Sequence, residues 1–330
     1  MIIAEIGLSH DGNIDIAHTY IDSLVDKGVD IIKFQTHVAE AESSRHEKFR
    51  VVFNNHDKSR FDYWKRTEFS FEKWLEIKNH CDKKGFEFMS TPSCLEAVDL
   101  LEKLNVNRYK VGSGDVDNLL LLKKLGITQK PILLSSGMSP FFELEEAIQF
   151  LDYYKNPISI LQCTSKYPTT PKEWGLNVIP ELQSRFKLPI GFSDHSGTIY
   201  ASLGAAMMGA EIIEFHVILD GMEIGPDVSS SIPISKVQIL TEGVKAIKCA
   251  MENPVNKNNI EDYEEIKKLF GKSLSLNKDK NIGERIFIDD LESKKPYGHG
   301  IATKNFEMVI GKKINKNLKK WSFLNWDDFE

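Results

Sequence analysis

Short apolar segments alternate with longer amphipathic segments along most of the chain. Each apolar segment has the length of a buried strand, and each amphipathic segment is long enough for a helix. In the first predicted helix, Ile14, Ala17 and Ile21 share one face, and Gly28 follows the last turn. This alternation predicts a parallel sheet whose strands are joined by crossover helices.

Eight strands and eight helices are predicted before Pro254. The predicted strands are residues 2–6, 29–34, 86–90, 108–112, 131–135, 158–163, 189–193 and 212–217. The predicted helices are residues 14–27, 71–84, 94–104, 118–126, 143–154, 172–186, 198–209 and 235–251. About 250 residues is the usual size of a closed (β/α)8 TIM barrel, and no glycine-rich dinucleotide motif follows the first strand. We therefore predict a TIM barrel rather than an open doubly wound sheet.

The character of the chain changes after the barrel. Residues 256–268 are charged and have the composition of a linker. Short β-like segments follow at 273–276, 285–288 and 308–310, separated by Gly, Asn, Lys and Asp. The predicted organisation is a barrel domain at 1–253, a linker at 254–272 and a small β-rich domain at 273–330.

Composition and charge exclude several classes of function. A net charge of −6 and a pI near 5.9 argue against a nucleic-acid or membrane-surface partner. No apolar segment reaches membrane-spanning length, and the N-terminus has no targeting pattern, so we expect a cytoplasmic protein. The four cysteines lack CxxC spacing and predict neither a disulfide framework nor a thiolate zinc site.

Polar residues end all eight predicted strands, where the active site of a TIM barrel forms. They include Glu5, Lys33, Gln35, Thr91, Lys110, Ser113, Asp115, Ser135, Tyr167, Ser193, His195, Glu214 and His216, with Asp227 beyond the last strand. Any one of them has an ordinary structural explanation, such as a pairing of Lys33 with Glu5. A ring of eight polar strand ends instead indicates an active site.

Two histidines follow neighbouring strands in one predicted βαβ unit, residues 189–217. His195 and His216 should therefore lie at the same edge of the sheet, where neutral imidazoles can bind a divalent transition metal. The alternative is two satisfied histidines at strand ends. Lys33 and Lys110 would bind a phosphate or a carboxylate. Together these groups suit a reaction between a small phosphorylated anion and a polar carbonyl compound.

Residues 36–70 form a polar stretch that is too long for an ordinary βα loop. A charged aromatic patch lies within it at 57–66. Long loops of this kind are often functional, so the patch is a candidate functional segment without an assigned role.

Several motifs along nearly the whole chain resemble those of the sialic acid synthases and their nonulosonate relatives. They are AEIGLSHDGN at 4–13, KFQTH at 33–37, STP at 90–92, YKVGSGD at 109–115, LSSGM at 134–138, CTSKYP at 163–168, GFSDHSG at 191–197 and GPD at 225–227. The resemblance implies condensation of phosphoenolpyruvate with the open-chain aldehyde of an N-acetylmannosamine-type hexose, which gives a nine-carbon 2-keto acid and phosphate. It also implies a divalent metal, usually manganese with magnesium or cobalt as alternatives, and a homodimer. In that dimer a C-terminal antifreeze-like domain, here residues 273–330, acts on the partner's barrel.

The same resemblance assigns roles to individual residues. The metal ligands are His195 and His216, and the phosphoenolpyruvate-binding residues are Lys33, Thr91, Lys110, Ser113, Ser135 and Ser193. The sugar-binding residues are Gln35, Asp115, Tyr167 and Lys295, and the catalytic carboxylates are Glu5 and Asp227. The resemblance leaves open which of these two carboxylates handles the water.

Three departures from the family pattern leave the identity of the sugar open. This chain has Ser165 where asparagine is common, Asp115 where glutamate is common, and Lys295 in place of an arginine that contacts the N-acetyl group. Two other classes of function also stay open. One is a metal-dependent pyruvate aldolase that releases no phosphate, and the other is a catalytically silent barrel that only binds ligands.

Overall fold

The computed structural model describes residues 1–50, 57–222 and 225–330. These residues form two compact units, Met1–Asn253 and Pro254–Glu330. Within the described residues no helix is both long and apolar enough to cross a bilayer.

The first unit is a closed barrel of eight parallel strands, as predicted. The strands are β1 (Ile2–Gly7), β2 (Ile31–Thr36), β3 (Glu87–Pro92), β4 (Tyr109–Val111), β5 (Ile132–Ser135), β6 (Ile158–Cys163), β7 (Ile190–Asp194) and β8 (Ile212–Ile218). Each strand pairs with the next, and β1 pairs with β8 to close the barrel. A short β9 (Ile232–Pro233) extends the pairing of β8.

Helices surround the barrel at the predicted places, with two differences. The helices are α1 (Ile14–Ser23), α2 (Ala39–Glu42), α3 (Arg60–Thr67), α4 (Phe71–Lys83), α5 (Leu95–Lys103), α6 (Leu119–Ile127), α7 (Phe141–Asp152), α8 (Val178–Phe186), α9 (Ile199–Met207) and α10 (Ile234–Glu252). The long polar stretch contributes α2 and α3, which were not predicted. The helix predicted from residue 172 begins only at Val178, because Gly175 has a φ of +65° that interrupts the helix.

An apolar layer fills the barrel interior beneath the polar mouth. Its members are Ile3, Ile31, Met89, Leu133, Leu161 and Ile212, all buried. Gly191 is required beside this layer, since a Cβ there would lie 2.6 Å from the carbonyl oxygen of Ile212. Side chains two residues apart on a strand face the same side, so the next inward positions carry the polar groups of the mouth. Those positions are Glu5, Lys33, Thr91, Ser135, Cys163 and Glu214.

The second unit has less regular strand structure than predicted. β10 (Ser273–Leu276) was predicted and pairs antiparallel with β11 (Leu291–Lys294), which was not. The strands predicted at 285–288 and 308–310 are wrong. Ile286 and Val309 are buried in the apolar cluster of this unit, but Arg285 forms only an isolated bridge with Lys313, and 3-10 turns occupy 288–290 and 303–308. The stretch predicted as a linker contains the helix α11 (Glu264–Phe270).

Candidate active site

A cavity of about 220 Å³ opens at the carboxyl ends of the barrel strands. Its lining includes every predicted site residue of the barrel except Asp227. These residues are Glu5, Lys33, Gln35, Thr91, Lys110, Ser113, Asp115, Ser135, Tyr167, Ser193, His195 and His216. The parallel barrel brings them together because all of its strands end at the same face.

Two lysines and two glutamates form an ion-pair cluster in this inner cavity. The Nζ atom of Lys33 lies 2.6 Å from Oε2 of Glu5 and 3.6 Å from Oε1 of Glu214. The Nζ atom of Lys110 lies 2.7 Å from Oε1 of Glu214. None of the four residues is more than 4% exposed. The cluster therefore contains two cations and two anions that are almost completely removed from solvent.

The cluster holds Lys33 and Glu214 in their charged forms. Burial alone would lower the pKa of Lys33, but the carboxylates of Glu214 and Glu5 outweigh burial and raise that pKa. Burial alone would raise the pKa of Glu214, but Lys110 and Lys33 outweigh it and lower that pKa. Ammonium groups with fixed positions and full charge suit the binding of a small anion.

Glu214 had no role in the sequence-based assignment, although it contacts both lysines. A signal for it was present, because Glu214 and His216 are separated by one residue within an otherwise apolar strand. Such spacing places both side chains on the inward face of β8. The register of the sheet then sets Glu214 beside Ser193, whose hydroxyl donates a hydrogen bond to Oε1 at 3.0 Å.

Hydroxyl groups surround the ion-pair cluster. Thr91 accepts a hydrogen bond from Lys33 at 3.3 Å, and Ser113 accepts one from the backbone N–H of Gly137 at 3.1 Å. The hydroxyl of Ser135 is buried and has no hydrogen-bond partner among the described residues. A buried hydroxyl without a hydrogen-bond partner destabilises the fold unless a ligand supplies that partner. The unpaired hydroxyl of Ser135 is therefore evidence that a ligand binds at this point.

The two histidines lie side by side, with 5.3 Å between their ring centroids. The Nδ1 atom of His195 must donate its hydrogen to the carbonyl oxygen of Thr164, 2.8 Å away, because a carbonyl only accepts. Burial, with a smaller effect from His216, lowers the pKa of His195 to about 3. His195 is therefore neutral near pH 7 with its lone pair on Nε2, which lies 4.0 Å from Sγ of Cys163. Tyr167 stacks on the ring at 4.0 Å.

This arrangement fits a metal ion that binds few protein ligands. A metal-bound imidazole commonly donates its other N–H to a backbone carbonyl, as His195 does to Thr164. The described residues contain no group of three or more His, Cys, Asp or Glu side chains placed to hold a metal. An ion held by His195 and His216 would therefore need further ligands from substrate or water.

Glu5, Gln35 and Asp115 also have defined partners. Gln35 donates a hydrogen bond to Oε1 of Glu5 at 2.9 Å, so Glu5 is held by both Gln35 and Lys33. Asp115 accepts a hydrogen bond from Asn118 at 2.9 Å, and burial raises the pKa of the Asp115 carboxyl group. These contacts orient the side chains that line the opening of the cavity.

An outer cavity of about 330 Å³ adjoins the inner one. The two cavities share Gln35, Ser113, Tyr167 and His216 as lining residues. Asp227 lies in the outer cavity with three residues that had no predicted role, Arg50, Arg60 and Trp64. The long polar stretch after β2 supplies these three, and Arg60 and Trp64 belong to its charged aromatic patch.

Asp227 is already paired in the outer cavity. Its Oδ1 atom lies 2.6 Å from Nη2 of Arg50, and its Oδ2 atom lies 3.9 Å from Nδ1 of His216. The Arg50 guanidinium also lies over the ring of Tyr167, 4.0 Å from its centroid. Lys295 belongs to the second unit, where its ammonium group lies 4.9 Å from the centroid of Phe270.

Comparison with known proteins finds similar chains over nearly the whole length. The model of the NeuB family matches residues 20–256. N,N'-diacetyllegionaminic acid synthase of Campylobacter jejuni is 33% identical over 326 residues, which are 97% of this chain and 97% of that protein. N-acetylneuraminate-9-phosphate synthase of Mus musculus is 31% identical over 95% of this chain and 88% of its own length.

A solved structure agrees with these sequence matches. The N-acetylneuraminic acid synthetase of Leptospira borgpetersenii, crystallised in complex with citrate, superposes with a TM-score of 0.72 and 30% identity. The match covers 80% of this chain and 89% of that one.

Proposed function

The chain belongs to the NeuB family, and we propose that it condenses phosphoenolpyruvate with the open-chain aldehyde of an acylamino hexose. The reaction forms a nine-carbon 2-keto sugar acid and releases inorganic phosphate. The observation that carries this proposal is the cluster of buried lysines ion-paired with glutamates, beside the adjacent imidazoles of His195 and His216. One part suits an anionic substrate, and the other suits the activation of a carbonyl group.

Phosphoenolpyruvate occupies the inner cavity in this proposal. Lys33 and Lys110 hold its carboxylate and phosphate, and hydroxyl groups complete the contacts. The hydroxyls are those of Thr91, Ser113, Ser135 and Ser193. Ser135 is the most specific support, since its buried hydroxyl has no acceptor or donor among the described side chains and backbone. Fixed ammonium groups also set the direction from which the methylene carbon attacks the aldehyde.

His195 and His216 would hold a divalent ion, for which we propose manganese, with magnesium or cobalt as alternatives. When bound, such an ion polarises the aldehyde carbonyl of the sugar. Thr164 keeps His195 in the tautomer with its lone pair on Nε2, and Tyr167 stacks against the same ring. Gln35 and Asp115 then bind hydroxyl groups of the sugar.

Glu5 is the better candidate for handling the water that adds to the cationic carbon. It lies in the inner cavity with the lysines that hold phosphoenolpyruvate, whereas Asp227 lies in the outer cavity. Glu5 takes a proton from that water, and the tetrahedral intermediate loses its hydroxyl proton as it expels phosphate and forms the keto group. The two protons of the water end on the former aldehyde oxygen, which becomes a hydroxyl group, and on phosphate. Asp227 binds the sugar instead.

A direct assay tests this function. The purified protein is mixed with phosphoenolpyruvate, manganese and a panel of acylamino hexoses, and released phosphate and product mass are measured. We expect phosphate in equal amount to a nine-carbon acid. In a parallel assay, product formed when pyruvate replaces phosphoenolpyruvate would instead indicate an aldolase.

Replacing Lys110 by Met should weaken phosphoenolpyruvate binding specifically. The change keeps most of the apolar stem but removes a charged contact worth about 1.5–3 kcal/mol, so the KM for phosphoenolpyruvate should rise about ten- to a hundredfold. The KM for the sugar should change much less. Lys172→Met is a matched control, because Lys172 is exposed on the 3-10 turn at 171–173. An unchanged KM for phosphoenolpyruvate in Lys110→Met would place the anion elsewhere.

We also propose that the protein is a cytoplasmic homodimer and that residues 273–330 are an antifreeze-like domain acting on the partner's barrel. Lys295 then contacts the sugar bound by the other chain. The support is the resemblance in sequence and the exposure of Lys295.

A mixing experiment tests this arrangement. Lys295→Ala and His195→Ala chains should each be inactive alone and should recover part of the activity when subunits exchange. In a one-to-one mixture, random exchange makes about half of the dimers hybrids, and one of the two sites in each hybrid combines an intact barrel with an intact Lys295. Recovery should therefore approach about a quarter of normal activity. No recovery where exchange is demonstrated by mass labelling would contradict action in trans.

A further inference from the structure

Arg60 lies on the wall of the outer cavity with unsatisfied hydrogen-bond donors. Its Nε and Nη1 atoms are buried and have no acceptor among the described residues. The nearest carboxylate oxygen, in Glu47, is 3.4 Å from Nε without hydrogen-bond geometry. The Glu47 carboxylate instead accepts from Nε1 of Trp64 at 3.0 and 3.2 Å. Buried donors of this kind are costly, and a ligand oxygen would relieve that cost.

The position of Arg60 is fixed by packing. Its guanidinium carbon lies 4.1 Å from the centroid of Trp64, and the same indole stacks with His37 at 3.9 Å. Arg60 is also the first residue of α3, where the helix dipole disfavours a cation. Arg60 at this position therefore does not stabilise the helix. The guanidinium is thus held by packing in the wall of the outer cavity, as a binding group requires.

The charges around the outer cavity balance among the described residues. Arg50 is paired with Asp227 at 2.6 Å, and Arg60 has Glu47 nearby. Apolar surface comes from Leu8, Trp64 and Met138. Donors beside apolar surface fit a neutral amide whose carbonyl faces the guanidinium and whose methyl group packs on the side chains.

We propose that Arg60 donates hydrogen bonds to the carbonyl oxygen of the acylamino group of the acceptor sugar. This inference rests on the proposed function and adds a barrel residue to the acylamino contact that the family resemblance assigns to the position of Lys295. A sugar with its aldehyde at His195 and His216 would extend past Gln35 and Tyr167, which line both cavities. Arg60 lies on the outer side of that path.

The test compares two sugars in Arg60→Met and in the unchanged protein. N-acetylmannosamine carries the acylamino group, and mannose has a hydroxyl group at the same carbon. We expect kcat/KM to fall about ten- to a hundredfold for N-acetylmannosamine and by less than about threefold for mannose. The KM for phosphoenolpyruvate should stay constant. If mannose turns over too slowly, inhibition constants of the two reduced sugars, which lack the aldehyde, give the same comparison.

Two further variants separate recognition from folding. Arg60→Lys keeps the charge but loses the fork of donors. Its kcat/KM should fall less than that of Arg60→Met, and again more for N-acetylmannosamine than for mannose. Arg60→Lys replaces Arg60→Met if that variant unfolds. Arg185→Met is the matched control, because Arg185 pairs with Glu145 on the surface and lies away from both cavities. It should leave both sugars unaffected.

Two results would overturn the assignment. Equal losses for both sugars would give Arg60 a structural role only. Failure of the unchanged protein to release phosphate with any sugar would instead overturn the proposed function, and the assignment of Arg60 with it.

Discussion

Replacing His195 by Ala is expected to lower the rate of phosphate release at least about a thousandfold while the barrel stays folded. The imidazole rings of His195 and His216 lie 5.3 Å apart at the mouth, and loss of either leaves too few protein ligands for an ion. Side chains at the mouth contribute little to the core, so thermal unfolding should change only slightly. His216→Ala should behave in the same way.

Three measurements check this prediction, namely phosphate release, metal content of the purified protein and the melting temperature. The metal content should fall in both variants together with the rate. His46→Ala is a suitable control, since His46 is exposed on the polar stretch after β2. Full activity in the presence of EDTA, or in either variant, would contradict a role for a metal at this histidine pair.

Replacing Glu214 by Gln should cost about 3–5 kcal/mol of unfolding free energy at pH 7. Glu214 is the carboxylate within ion-pair distance of Lys110 among the described residues, so the change leaves a buried ammonium group without a counter-charge. The kcat/KM for phosphoenolpyruvate should fall as well, because both lysines lose a group that positions them. Urea unfolding measures the first effect, and steady-state kinetics measure the second.

A surface ion pair provides the control for Glu214. Glu145 pairs with Arg185 at 2.9 Å, and both side chains are more than 40% exposed. Glu145→Gln should therefore cost less than about 1 kcal/mol. A similarly small cost for Glu214→Gln would show that the buried cluster tolerates an uncompensated lysine, contrary to its proposed role.

The effect of Glu214 should also depend on pH. Lys110 and Lys33 lower the pKa of this carboxyl group in the folded protein, so its contribution is complete above the pKa of an unfolded glutamate, about 4.3. The contribution is lost as the pH falls through the lower pKa of the folded state. The difference in unfolding free energy between the unchanged protein and Glu214→Gln should therefore shrink in acid and stay constant between about pH 6 and 8.

The periodicity of apolar residues was sufficient to predict the strands and helices of the barrel. A parallel strand buried on both faces has a recognisable apolar composition, and a helix between two such strands has a recognisable apolar face. The second unit was harder to predict because its strands lack this apolar composition. β11 is Leu291–Lys294, a half-buried strand of mixed polarity, whereas Ile286 and Val309 are buried without belonging to a strand. Apolar residues there report burial but not strand pairing.

The sequence by itself determined which side chains face the barrel mouth, because strand alternation and the parallel direction of the strands place them there. It did not determine how those side chains pair. Lys33 could have reached either of two carboxylates, and only the register of β1, β2 and β8 sets Glu5 at 2.6 Å and Glu214 at 3.6 Å. Arg60 depended on tertiary structure even more, since no periodicity relates α3 to a strand end. Its place at the outer cavity follows from packing of the polar stretch over the mouth, through contacts between residues far apart in sequence.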